Sequence, residues 1–163
     1  EELRPWYDRV QAEVGIAGDA SAEPWRPPGD PYPMPPLREF AQGRLLRRGF
    51  ERLGLAVAPL PAAINSVEYR GRPACLYDGW CDAGCPIHAL ANPLATHLPQ
   101  ASEAGAELRP YATVLRLLPG SDERAAGVEY ADRQGRRIRQ HADLVVLAAA
   151  VVQNPRILLS SRG

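Results

Sequence analysis

Lysine is missing from this 163-residue chain: all 19 permanently basic side chains are arginine, matched by 19 acidic ones. The formal net charge of zero excludes a general electrostatic affinity for nucleic acid or for an anionic membrane surface. Long apolar runs are missing too. The longest, "LVVLAAAVV", falls short of the roughly 18 residues of a membrane span and has the length of a core strand. The first residues carry no apolar signal segment, and the chain opens abruptly on "EELRPWYDRV", without an initiator methionine. No H-E-x-x-H, G-x-S-x-G, Walker loop or G-x-G-x-x-G occurs, and there is no internal repeat. Nothing specific supports a metalloprotease, a serine hydrolase or a self-contained dinucleotide site.

The length fits one ordinary domain. Proline is abundant, at 17 residues, and concentrated in the first half. "EPWRPPGDPYPMPPL" cannot be helix or inner strand, because proline lacks the amide donor and its ring blocks the preceding turn. With Trp25, Tyr32 and Met34 interleaved, it reads as an extended segment laid against a larger body. Residues 2–14 read as a short helix with Leu3, Trp6, Tyr7, Val10 and Val14 on one face, ended by Gly15 and Gly18. Residues 37–53 form the strongest helix, apolar at Leu37, Phe40, Ala41, Leu45, Leu46, Phe50 and Leu53, with Gly54 placed as a left-handed cap. Its arginines 44, 47, 48 and 52 are the solvated side. Another helix is expected over 93–104, stopped by Gly105.

The rest is β-rich. Residues 111–118, 125–132 and 136–142 read as three strands joined by short turns, an antiparallel meander. Residues 143–150, "DLVVLAAA", read as a strand buried on both faces, as in a parallel sheet. A helix is expected at 154–161, with Asn154 as cap and Pro155 in its first position. The expected class is α+β, with one inconsistency: a parallel-type strand needs parallel neighbours, and this chain supplies none. The sequence therefore reads as a slice of a larger α/β protein. Alone, its strand edges would need hiding, for instance across a homo-oligomer.

All three cysteines, Cys75, Cys81 and Cys85, fall in "RPACLYDGWCDAGCPIHA". Thiolates are soft ligands, and Gly79 and Gly84 allow a tight loop. Three readings stand open: a Cys3His zinc site completed by His88, a three-iron cluster needing only three thiolates, or a bland one of three inert buried thiols or one disulfide with a spare thiol. The zinc reading makes the chain a small protein-interaction module. His97 reads as solvent-facing or capping, and His141 as a surface residue.

"RPACLYDGWCDAGCPIHA", then "GVEY", then "DLVVLAAAVVQNPRILLSS" come in the order and spacing of the glucose–methanol–choline oxidoreductases, and the chain resembles that family along nearly its whole length. "YPMPPL" and "LPAAINS" resemble its bacterial branch of gluconate, fructose and FAD-dependent glucose dehydrogenase large subunits. The resemblance implies an internal piece of a flavin-dependent oxidoreductase that oxidises a CH–OH group of a sugar or alcohol by hydride transfer to FAD. Residues 1–92 would be a helical and Pro-rich insertion with the cysteine loop, and 93–163 part of a Rossmann-type FAD-binding domain. The dinucleotide loop and the catalytic histidine of the family have no counterpart here, so no catalytic residue is expected in the chain.

Carried over by position, Val114 would meet the adenine of FAD, and Ala148 and Ala149 would lie against the cofactor. Cys75, Cys81 and Cys85 would hold a 3Fe-4S cluster relaying electrons to a cytochrome-type acceptor subunit. The parent would be periplasmic or membrane-associated in a bacterium, and the isolated piece would be inactive, with neither cofactor. The chain departs from the family in two places: Ala150 and His88 stand where glycine is common.

Overall fold

A computed structural model describes residues 2–122 and 124–161, in two compact units, Glu1–Ala106 and Glu107–Gly163. Among the described residues no helix is long and apolar enough to cross a membrane.

The first unit is short on regular structure. Helix α1 (Arg4–Val14) begins with Pro5 in its first turn and ends at Gly15, whose φ of 83° carries the chain out of the helix. Helix α2 (Ala41–Arg52) starts later than its apolar spacing predicts, at Ala41 rather than residue 37, because the chain leaving Pro35 and Pro36 stays extended through Phe40. Gly54 takes the left-handed conformation expected of it (φ 72°) and donates to the Glu51 carbonyl. Helix α3 (His97–Glu103) is preceded by a turn in which the Asn92 side chain accepts from the Ala95 amide, so the expected helix at 93 begins four residues late. The apolar stripes of α1 and α2 find no cover: Leu3, Trp6, Tyr7 and Val10 are exposed, as are Leu45, Leu46 and Phe50.

The centre of this unit is main chain, tied crosswise. The Pro-rich segment forms neither helix nor strand and turns at Pro24–Trp25, where the Arg26 amide donates to the Glu23 carbonyl (3.1 Å); Met34 is buried where it bridges Ala17, which also bridges Ala62. Asn65 is fully buried; its side-chain amide donates to the carbonyls of Arg72 (2.8 Å) and Tyr69 (3.3 Å). Arg72 is buried beside it without a carboxylate partner among the described residues. Its Nη2 donates to the Val14 carbonyl at 2.6 Å, and its Nη1 to those of His88 (3.3 Å) and Ala89 (3.5 Å). Burial, with Arg70 nearby, lowers its pKa from the ordinary arginine value. One guanidinium thus satisfies the end of α1 and the exit of the cysteine loop at once.

The second unit contains the expected meander. Strands β1 (Thr113–Pro119), β2 (Ala125–Ala131) and β3 (Arg137–His141) pair antiparallel in the order β1-β2-β3. Alternation breaks at a bulge between Val114 and Arg116. The β2–β3 turn is held by Asp132, whose carboxylate accepts from the Gln134 and Arg136 amides. Helix α4 (Ala150–Leu159) packs on β1, burying Ile157.

Two expectations fail here. Residues 143–150 are not a strand: 144–148 belong to no strand, bridge or helix, with Leu144 79% and Val146 77% exposed. No parallel neighbour exists among the described residues to take up their amides. And α4 begins at Ala150 instead of 154, which puts Pro155 inside the helix and Asn154 in its second turn.

Replacing the buried cation tests the first unit. Arg72→Met strips the Val14 and His88 carbonyls of their donor and the Ala89 carbonyl of one of two, and is expected to cost about 3 kcal/mol in urea denaturation, with faster thiol labelling of Cys85 as the loop exit loosens.

Candidate functional site

The cysteine loop is closed at its base by Asn65. The Cys75 amide donates to the Asn65 carbonyl (2.8 Å), and the Asn65 amide donates to the Ala89 carbonyl (2.9 Å), so the two ends of the loop meet on one residue. The bridge between Ile64 and Leu90 extends this clasp. Tyr77 ties the loop to the segment before α2: its hydroxyl accepts from the Arg38 amide at 3.1 Å, and its ring meets Phe40 edge-on. Within this frame Cys75 is half-buried and accepts from the Tyr77 amide at 3.3 Å. Cys85 is half-buried, and the Leu90 amide, aided by those of Ile87 and Ala89, holds its thiol below the usual range against the opposing effect of burial. Cys81 is exposed.

All three thiols are free, and among the described residues no group of three Cys, His, Asp or Glu side chains is placed to hold a metal ion. The Cys3His zinc site with His88 does not form: His88 is exposed on a left-handed backbone (φ 58°). Cys75, Cys81 and Cys85 ride on one loop, bent by turns at Tyr77, Gly79 and Gly84 (φ 59°, 80° and 99°). The other two histidines are incidental: His97 opens α3 against Thr96 (3.2 Å), and His141 ends β3 in solvent.

The second candidate region is the α4 side of the meander. β1 is an edge strand, and α4 side chains occupy its outer backbone: Arg156 Nη2 donates to the Val114 carbonyl (3.2 Å), and Ser161 Oγ accepts from the Leu117 amide (2.8 Å). Two residues before Arg156, the Asn154 side chain spans the turn into the helix. It accepts from the Ala149 amide (2.9 Å) and donates to the Leu147 carbonyl (3.1 Å). Val114 on one side and Ala148 and Ala149 on the other are therefore fixed by the same helix. The turn is exposed, its side chains are single methyl groups, and the helix start carries no side-chain cap. Sequence reasoning treated Asn154 as a cap and missed Arg156; only the Asn-Pro-Arg spacing hinted at either. An open groove of about 650 Å³ along α1, lined by Arg4, Asp8, Arg9 and Asp30 among others, contains none of these residues.

With this geometry in place, comparison with known proteins is decisive. Residues 34–162 match the GMC oxidoreductase family. The chain belongs to that family. It is 30% identical over 161 residues to the fructose dehydrogenase large subunit of Gluconobacter japonicus, covering 98% of this chain and 29% of that protein. It is 34% identical over 170 residues to the 2-methyl-1,2-propanediol dehydrogenase of Mycolicibacterium austroafricanum (99% and 29%). It is 30% identical over 181 residues to the gluconate 2-dehydrogenase flavoprotein of Pantoea cypripedii (98% and 29%). The chain thus spans under a third of the length of these curated relatives. The α+β arrangement with three antiparallel strands fits a part of the FAD-binding domain of GMC proteins, and the family is FAD-binding.

The residues on the α4 side fit that cofactor. The Val114 carbonyl lies at a sheet edge, where Arg156 donates to it, and the exposed Ala148–Ala150 turn sits beside the helix start, where the dipole favours anionic groups. Ala150 has φ 68°, the left-handed conformation that glycine adopts freely. His88 (φ 58°) repeats the pattern in the cysteine loop. The backbone keeps the conformation a glycine would take, and the side chain bears the strain.

Restoring glycine relieves that strain: Ala150→Gly and His88→Gly are each expected to raise stability by about 0.5–1 kcal/mol in chemical denaturation. Asn154→Ala should unlock the turn, seen as faster hydrogen exchange at the Ala149 amide while the β2 amides keep their protection.

Proposed function

We propose that the protein carrying this chain oxidises a CH–OH group of a sugar or other small alcohol, and that residues 107–163 form one wall of its FAD site within a Rossmann-type domain. The observation that carries this reading is the family match across residues 34–162, which includes both Val114 and the α4 turn. Bound FAD would accept hydride from the alcohol carbon. In this chain, Val114 would offer its edge carbonyl to the adenine amino group, beside or in place of Arg156. Ala148 and Ala149 would exclude water from one side of the cofactor while leaving its approach unhindered. The unpaired, apolar 144–148 supports the Rossmann-type setting, since such a run is stable only between parallel strands. None of the residues described supplies the proton acceptor for the alcohol, so the isolated chain is expected to be inactive. Its FAD binding would be weak, because a partial site keeps the entropic cost of association and loses much of the contact.

Electron transfer onward to a cytochrome-type acceptor subunit, in a periplasmic or membrane-associated enzyme, belongs to the same reading. The relative named as a large subunit supports a multi-subunit assembly. In that reading Cys75, Cys81 and Cys85, free thiols on one loop, would hold an iron–sulfur cluster.

The test uses the full-length protein. Purified anaerobically, it should show a flavin spectrum that bleaches on adding fructose, gluconate or a small diol, with a slower rate for substrate deuterated at the reacting carbon. Absence of flavin, or a spectrum that no alcohol bleaches, would overturn the reading. Iron analysis of the same sample decides separately whether the cysteine loop holds a cluster.

A further inference from the structure

Glu129, at the middle of β2, is almost fully buried and meets three guanidinium groups: Arg116 at 3.2 Å, Arg137 at 3.3 Å and Arg139 at 3.7 Å. Hydrogen bonds from Arg116 Nη2 and Arg137 Nη1 already engage its two oxygens. Arg116, with Arg137 and Arg139 adding, holds this carboxyl below the usual range despite its burial. One cation suffices to neutralise one carboxylate, so the cluster carries two positive charges in excess. The surplus lies on β3, where the side chains of Arg137 and Arg139 are 72% and 67% exposed. Arg139 approaches through Nε alone, beyond hydrogen-bond distance, which leaves its terminal nitrogens outside the pair.

β3 is also a sheet edge. It pairs with β2 on one side, and among the described residues no strand pairs with the other. Arg137 and Arg139 are two residues apart on a strand, so they share a face about 7 Å apart. An extended segment paired along this edge would place every second side chain on that face, opposite the arginines. Acidic residues there would meet open guanidinium forks. A second copy of β3 would instead bring arginine rows together, which like-charge repulsion disfavours. The arrangement therefore resists self-pairing and selects acid.

We propose that the outer edge of β3, with Arg137 and Arg139, docks an extended acidic segment of a partner protein by strand addition. This holds whatever the protein's substrate is.

The probe is a fluorescein-labelled peptide of alternating glutamate and threonine, titrated onto the full chain and followed by anisotropy. Saturable binding is expected, weakened by raising salt from about 20 to about 300 mM. Arg137→Gln with Arg139→Gln should weaken it at least about tenfold, and Arg137→Lys with Arg139→Lys should largely retain it. Arg44→Gln with Arg48→Gln, which removes the same charge from α2, should change it less than about threefold. Bound peptide should also slow hydrogen exchange of the 137–141 amides. Circular dichroism checks that each variant folds. The proposal is overturned by no binding, by equal loss in both glutamine pairs, by binding without protection of β3, or by self-association that covers this edge.

Discussion

The buried guanidinium of Arg72 is the constraint on which the first unit depends. Among the described residues the buried apolar set is small: Ala17, Met34 and Ala89 in this unit, Leu118 and Ile157 in the other. So few side chains cannot by themselves offset the entropy of ordering a long, irregular main chain. What holds the segments in register is polar and aimed at main chain. Arg72 binds carbonyls of α1 and of the cysteine-loop exit, and Asn65 holds the Tyr69 and Arg72 carbonyls and both ends of the loop. A hydrogen-bonded centre of this kind specifies geometry sharply, because a misplaced partner leaves a buried group unpaired.

The second unit solves the same problem differently. Its meander is self-consistent, but β1 ends at an edge, and α4 completes that edge with Arg156 and Ser161. Asn154 then locks the turn that a cofactor would face. Residues 144–148 remain without strand partners, and α1 and α2 show uncovered apolar stripes. These features suit a chain that spans under a third of its relatives' length. His88 and Ala150 carry local strain: each holds a conformation better suited to glycine.

Residue spacing alone determined the meander and the Gly15 and Gly54 helix ends, proline chemistry kept the Pro-rich segment out of helix and strand, and the family came from the resemblance of its motifs. Alternation, proline chemistry and left-handed caps are local properties, readable within a few residues. It also showed that 143–150 lacked partners, though not that the segment would then lose its strand pairing. Only the tertiary structure decided where Arg72 goes, that Asn154 and Arg156 tie Val114 and the 147–149 turn to one helix, and that Cys75 and Cys85 are half-buried while Cys81 is exposed. Spacing within a loop limits how far three sulfurs can separate, but not where they point. That direction depends on how Asn65 and Tyr77 hold the loop's base and flank, and those contacts join residues distant in sequence.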